Sequence, residues 1–147
     1  FSDVEITEKT AKALLEKCPE HDIIVTAESK GLQLTHVTAR ELGQPYYAVA
    51  RKSKKLYMQD GIGISYGSSI TTGKPQELFL SLHDVNLLKG KKVGIVDDVI
   101  STGASLLGLE ALVEKAGGTV YKKIFVLAEG DAAKRADVSY LASIPLL

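Results

Sequence analysis

The chain has 147 residues carrying 18 basic and 18 acidic side chains: enough for one domain with a real core, and a balance that favours neither nucleic acid nor an anionic membrane surface. A single cysteine, Cys18, excludes an internal disulfide and any cysteine-cluster metal site, which suits a reducing cytoplasm. No apolar run is long enough to span a bilayer, and none reads as a signal peptide.

Thr7 is placed to cap a first helix whose apolar positions Ala11, Leu14, Leu15 and Cys18 recur at helical spacing, and Pro19 ends it. Ile23-Ile24-Val25 is a short apolar strand. After it, Ala27-Glu28-Ser29-Lys30-Gly31 opens a second helix, from about Leu32 to Leu42 with Gly43 as its stop. Tyr46 to Ala50 reads as another strand, and this β-α-β rhythm implies a parallel sheet. The Glu28–Gly31 loop lies where backbone N–H groups would hold an anion, although taken alone it is equally a solvated turn. Arg51-Lys52-Ser53-Lys54-Lys55 is the kind of run that is usually a solvated face, but it emerges at the same sheet edge.

From Ser53 to Pro75 the chain is rich in Gly, Ser, Thr and Tyr without a helical period, with a weak strand pair around Ile62-Gly63-Ile64 and Ser68-Ser69-Ile70. A stretch this long is a functional lid or disordered. Glu77 to Leu82 alternates as a strand, with Phe79 on one face and Leu78, Leu80 and Leu82 on the other, and Asn86 to Lys91 leads into the central segment. Beyond that segment, Val120 and Ile124 to Ala128 predict a strand that delivers Glu129-Gly130-Asp131 to the same edge. Val138 to Leu141 predicts one more strand, before an apolar tail. His21, His36 and His83 show no metal-ligand spacing.

The central segment runs from Lys92 to Ser105. Val93, Ile95 and Val96 form a buried strand, Asp97 and Asp98 arrive together at its end, and Ser101-Thr102-Gly103-Ala104-Ser105 turns into a helix carrying Leu106, Leu109, Leu112, Val113 and Ala116, stopped by Gly117-Gly118. Small turn residues let backbone N–H groups and the hydroxyls of Ser101, Thr102 and Ser105 surround an anion at the positive end of the helix. Two carboxylates beside that loop call for hydroxyls, a cation or developing positive charge. Phosphate on one side and carboxylates on the other describe a sugar phosphate, and a ribose 5-phosphate fits. No Lys follows Gly103, so this is not a Walker A loop, and Gly61 to Gly67 opens no predicted helix as a dinucleotide fingerprint would.

Val96-Asp97-Asp98-Val99-Ile100-Ser101-Thr102-Gly103 closely resembles the phosphoribosyl-pyrophosphate (PRPP) signature of type I phosphoribosyltransferases, and Arg51-Lys52 resembles the pair ending the corresponding strand in the adenine and xanthine branch. The resemblance spans Asp22 to Leu147 and implies an α/β fold, a mostly parallel central sheet flanked by helices with a flexible β-ribbon lid at about 53–75, in a single domain over 1–147. It implies transfer of the 5-phosphoribosyl group from PRPP to a purine with Mg²⁺, giving nucleoside 5′-monophosphate and pyrophosphate, in a cytoplasmic homodimer that binds neither nucleic acid nor membrane. Adenine is preferred, because Ala128-Glu129-Gly130-Asp131-Ala132 together with the main motif is similar to bacterial adenine-phosphoribosyltransferase-like sequences. Xanthine or another nucleobase is the alternative, as is a non-catalytic PRPP- or purine-sensing regulator.

Carried onto this sequence, the resemblance gives Asp97 and Asp98 the ribose hydroxyls and the catalytic electrostatics, and Ser101, Thr102, Gly103, Ala104 and Ser105 the 5-phosphate. Glu28, Ser29, Lys30 and Gly31, with Arg51 and Lys52, would hold the pyrophosphate and its Mg²⁺, so that no protein residue ligates the metal directly; the family often has a strained peptide bond in this loop. Val99 would form a wall of the base pocket. Two departures are expected to matter. Family members carry a further N-terminal segment that contributes to a hood over the base, and Gly103-Ala104-Ser105 stands where many relatives have Gly-Gly-Thr.

Overall fold

The structure is a computed structural model that describes residues 1–17, 21–67 and 74–146. Its order is α1 (Val4–Leu15), β1 (Ile23–Ala27), α2 (Leu32–Glu41), β2 (Ala48–Ala50), a 3-10 turn at Leu56–Met58, β3 (Ile62–Tyr66), β4 (Gln76–Leu80), α3 (Leu82–Leu88), β5 (Lys92–Ile100), α4 (Ala104–Lys115), β6 (Thr119–Glu129), a 3-10 segment at Gly130–Lys134 and β7 (Ser139–Ile144).

Five strands form one sheet in the order β2-β1-β5-β6-β7, every neighbouring pair parallel. The expected mostly parallel α/β sheet flanked by helices is therefore present. Side chains alternate across it as strand geometry requires. Ile23, Val25, Ile95 and Phe125 join Leu106, Leu109 and Leu112 of α4 on one face, while Ile24, Val96 and Ile124 meet Ala11 and Leu14 of α1 and Leu34 of α2 on the other. Both faces are covered, which is why the strands read as continuous apolar runs.

Strand order reverses between β1 and β5: from there the chain goes on to β2 on one side and to β6 and β7 on the other. The loops after β1 and β5 leave for opposite faces, toward α2 and α4. Such a switch point opens a crevice at the carboxyl ends of the two strands.

Several expectations are corrected. The first helix is capped by Asp3, whose Oδ1 accepts from Ile6 N at 3.0 Å. Thr7 lies one turn inside, 3% exposed, its hydroxyl donating to the carbonyls of Asp3 and Phe1. An intrahelical threonine that bonds a carbonyl four residues back spends its oxygen there rather than on a cap. Leu82 ends no strand: Ser81 Oγ accepts from Asp84 N at 3.2 Å and starts α3, leaving Leu82 47% exposed. Asn86 accordingly lies within that helix. β2 begins at Ala48, not Tyr46. β3 pairs with β4, antiparallel from Ile62↔Leu80 to Tyr66↔Gln76. Cys18, Pro19, Ser68, Ser69, Ile70 and Leu147 lie outside the described residues.

The β3–β4 ribbon is attached at three places. Arg51 and Phe79 exchange backbone hydrogen bonds at 2.8 Å, joining the end of β2 to β4. Lys115 of α4 donates to the Gly63 carbonyl at 2.8 Å. Tyr66 packs on α4 at Gly108, where a Cβ would fall 2.5 Å from the ring.

Candidate active site

The crevice holds a cavity of about 460 Å³. Glu28, Ser29, Lys30 and Lys52 line one side, and Asp97, Asp98, Val99, Ser101 and Ser105 the other. Tyr66 and Leu78 reach it from the ribbon, and Glu129 from the end of β6. A smaller hollow of about 140 Å³ continues under the turn, bounded by Ser101, Thr102, Gly103, Ser105 and Leu106.

β5 extends through Asp97, Asp98, Val99 and Ile100, pairing Asp97 with Phe125 and Ile100 with Ala128 of β6. The acids therefore belong to the strand and inherit its rigidity. Asp97 Oδ1 accepts from Asp98 N and Asp98 Oδ1 from Val99 N, each at 2.8 Å, fixing both carboxylates in short local rings. Burial pushes the Asp97 carboxyl up to about 7, with a smaller upward push from the Asp98 charge and opposing pulls from the Asp98 N–H and from Lys52. Mutual repulsion within the pair is thus secondary to desolvation.

The turn after β5 places Gly103 at φ +83° as the N-cap of α4. A left-handed residue there costs glycine nothing and an alanine more than 1 kcal/mol, by order of magnitude. Thr102 Oγ1 accepts from Ala104 N at 3.3 Å, and the first intrahelical bond runs from Leu107 N to the Gly103 carbonyl. The N–H groups of the first helical turn have no intrahelical acceptor, and Gly103, Ser105 and Leu106 of that turn border the hollow.

The third element comes from β1. Glu28 Oε1 accepts from Lys52 N at 2.7 Å, and Oε2 pairs with Arg51 Nη1 at 3.3 Å. The Lys52 N–H and the Arg51 guanidinium hold the Glu28 carboxyl below the usual range, against a smaller desolvation effect. The Glu28–Ser29 peptide bond is cis. Gly31 is buried, and a Cβ on it would fall 2.6 Å from Thr26 Oγ1 and 2.8 Å from Asp97 Oδ1.

Residues 3–143 match the phosphoribosyl transferase domain model. The chain belongs to that family. Among curated relatives of this phosphoribosyl transferase chain, a xanthine phosphoribosyltransferase of Exiguobacterium is 36% identical over 120 residues, covering 78% of this chain and 61% of its own length. An adenine phosphoribosyltransferase of Methanococcus maripaludis is 32% identical over 123 residues, covering 82% of this chain and 65% of its own. The phosphoribosyl transferase chain thus spans about three-fifths of the length of these relatives. Among solved structures, the adenine phosphoribosyltransferase of Rhodothermus marinus superposes with a TM-score of 0.79 at 26% identity, over 97% of this chain and 82% of that one. That of Thermoanaerobacter pseudethanolicus gives 0.81 at 22% identity, over 97% and 83%, and shows the shared fold.

Of the residues singled out from the sequence, nine line the main cavity: Glu28, Ser29, Lys30, Lys52, Asp97, Asp98, Val99, Ser101 and Ser105. Thr102 and Gly103 border the hollow beneath it. Arg51 stands behind Glu28, Gly31 lies against Asp97, and Ala104 opens α4 without lining either cavity. Tyr66 and Leu78 were not foreseen as lining residues, and no local pattern marks them. They reach the cavity through ribbon pairing that joins residues ten or more positions apart.

Proposed function

We propose that the chain carries a purine phosphoribosyltransferase activity, moving the 5-phosphoribosyl group of PRPP to a purine, adenine before others, to give nucleoside 5′-monophosphate and pyrophosphate. The observation that carries the reading is the convergence, at the switch point, of paired acids, an anion loop at the start of α4 and a second loop against Asp97. Ser101 to Ser105 would bind the 5-phosphate, Asp97 and Asp98 the ribose hydroxyls, and Glu28 to Gly31 with Arg51 and Lys52 the pyrophosphate. Val99 would face the base.

In the reaction the anomeric carbon–oxygen bond breaks, its electron pair leaving on pyrophosphate, while a base nitrogen supplies the pair for the new bond and gives up its proton. The transition state has oxocarbenium character, as in glycoside cleavage. Fixed carboxylates below the sugar favour that positive charge, and two anion loops at opposite ends hold the reacting centre in line. No covalent intermediate on the protein is needed.

Among the described residues no cluster of three or more ligating side chains forms a cage for a metal, and Asp97 and Asp98 each direct one oxygen to a backbone N–H. Asp97, Asp98 and Glu28, which line the same cavity, would supply counter-charge to a Mg²⁺ held through the substrate. When bound it would neutralise the leaving diphosphate. The whole stretch 1–147 would act as one domain with the segment at about 53–75 as its lid, and two copies would form a homodimer, which sedimentation would test.

A second acceptor is favoured by a specific observation, the 36% identity to a xanthine phosphoribosyltransferase. A panel of adenine, xanthine, hypoxanthine, guanine and orotate with PRPP and Mg²⁺, followed by pyrophosphate release, tests the proposal. Turnover with adenine supports it and preference for xanthine changes the acceptor. PRPP binding without turnover on any base replaces it with a sensing role.

A further inference from the structure

A cation reaches the Ser101–Ser105 loop from an element outside the motif. Arg135 follows the 3-10 segment Gly130–Lys134, between β6 and β7. Its Nε donates to Asp137 Oδ1 at 2.9 Å and its Nη2 to Asp137 Oδ2 at 2.7 Å, so the guanidinium is held as a planar fork. The remaining nitrogen, Nη1, lies against Gly103: a Cβ there would be 2.5 Å from it. Nη1 forms no hydrogen bond among the described residues.

The support behind Arg135 is ionic and returns to the same helix. Asp137 Oδ2 also accepts from Lys123 Nζ at 3.1 Å, and Lys123 pairs with Glu110 of α4. The four charges alternate from the middle of α4, across β6, to the start of α4, and the chain ends on a positive group. Glu110, Lys123 and Asp137 alone would complete a tie between the helix and the outer strands. Arg135 adds nothing to that tie through Nη1, which is turned to the loop instead. The loop Ser101-Thr102-Gly103-Ala104-Ser105 itself contains no cationic side chain. A phosphate dianion held there by N–H groups and hydroxyls alone would keep its full charge close to the Asp97 and Asp98 carboxylates.

We propose that Arg135 is a phosphate-anchoring residue, its Nη1 facing the 5-phosphate end of a ligand seated in the Ser101–Ser105 loop and supplying the fixed positive charge the loop lacks. The inference rests on the phosphoribosyl reading of that loop. It also gives Gly103 a second reason to be glycine: a methyl group there would displace the guanidinium.

Calorimetry with ribose 5-phosphate and, separately, pyrophosphate on the parent, Arg135→Gln and Arg135→Lys tests it. Arg135→Gln should bind ribose 5-phosphate roughly tenfold more weakly and pyrophosphate within about twofold, the loss typical of one charge-assisted hydrogen bond at one end of the site. Arg135→Lys, which keeps the charge without the fork, should recover part of the loss, and in steady state KM for PRPP should rise by more than kcat falls. Equal ribose 5-phosphate affinity in parent and Arg135→Gln overturns the inference, as does equal weakening toward both ligands with a lowered melting temperature, the mark of a purely structural role. Should Arg135→Gln not fold, Arg135→Lys decides: ribose 5-phosphate weakened with pyrophosphate unchanged supports the inference, and unchanged affinity for both overturns it. A parent that binds neither ligand removes the phosphoribosyl reading and this inference together. A parent that turns over while Arg135→Gln matches it in ribose 5-phosphate affinity removes the inference alone.

Discussion

Gly31, in the loop after β1, and Asp97, on β5, approach each other so closely that a single methyl group on Gly31 would sit 2.8 Å from Asp97 Oδ1. The absent side chain is what lets the β1 loop close onto the acidic strand. Gly31→Ala would also meet Thr26 Oγ1 at 2.6 Å, and Thr26 is fully buried and has no room to move. Its φ of −83° is ordinary, so the cost is steric only. We expect a loss of about 1–3 kcal/mol in stability, as for other overpacked sites, and a higher KM for PRPP. Denaturant unfolding and steady-state kinetics on the same preparation check both, and an unchanged midpoint would contradict the contact.

Asp98→Asn keeps the side chain's shape and its bond to Val99 N, so the fold should survive. What disappears is negative charge beside the developing cation. Turnover should fall by on the order of 2 kcal/mol or more, with PRPP affinity falling less, because the lost interaction is strongest in the transition state. The Asp97→Asn, Asp98→Asn double variant should be worse still. Turnover of that double variant within about twofold of the parent would leave the acids only a role in shaping the loop.

Asp97 titrates near 7 in the folded chain against 3.8 when unfolded. Between those values the native state holds a proton that the unfolded state has lost, so Asp97 makes stability fall as pH rises from about 4 to 7, and the penalty is complete above 7. Asp97→Asn should therefore be more stable than the parent at pH 8, by up to about 4 kcal/mol, with the two converging below pH 4. Thermal melts of both across pH 4–8 measure the gap. A gap that does not change with pH would mean the carboxyl is not buried as described. The same titration should appear in function: PRPP affinity of the parent rises through pH 7, and Asp97→Asn loses that component.

Gly108→Ala is a sharp test of how the ribbon docks. On an exposed helix the change would stabilise by about 1 kcal/mol through helix propensity. Here the new Cβ would fall 2.5–2.8 Å from three ring atoms of Tyr66, Cγ among them, so the ring cannot simply swing its tip away. The variant should lose about 1–3 kcal/mol, and the loss should vanish in a Tyr66→Ala background, where propensity alone remains. A double-mutant cycle with no coupling would show that Tyr66 does not rest on α4.

Length-local chemistry was written in the sequence. β1 and β5 are legible because both faces of a parallel sheet are buried, which leaves uninterrupted apolar runs. The turn from β5 into α4 is legible because paired acids, a glycine turn and a helix start follow one another within a single stretch, so their geometry is fixed by bonded neighbours. The cap expected at Thr7 falls instead to Asp3, because the Thr7 hydroxyl is spent on the carbonyls of Asp3 and Phe1, contacts that spacing alone does not show. The partner of Ile62–Tyr66, the approach of Gly31 to Asp97, the seat of Tyr66 on Gly108 and the reach of Arg135 to Gly103 were decided by tertiary structure alone. Each joins residues ten or more positions apart across elements that periodicity describes one at a time. Its energy comes from steric fit and desolvation, which exist only once the sheet has brought both sides together.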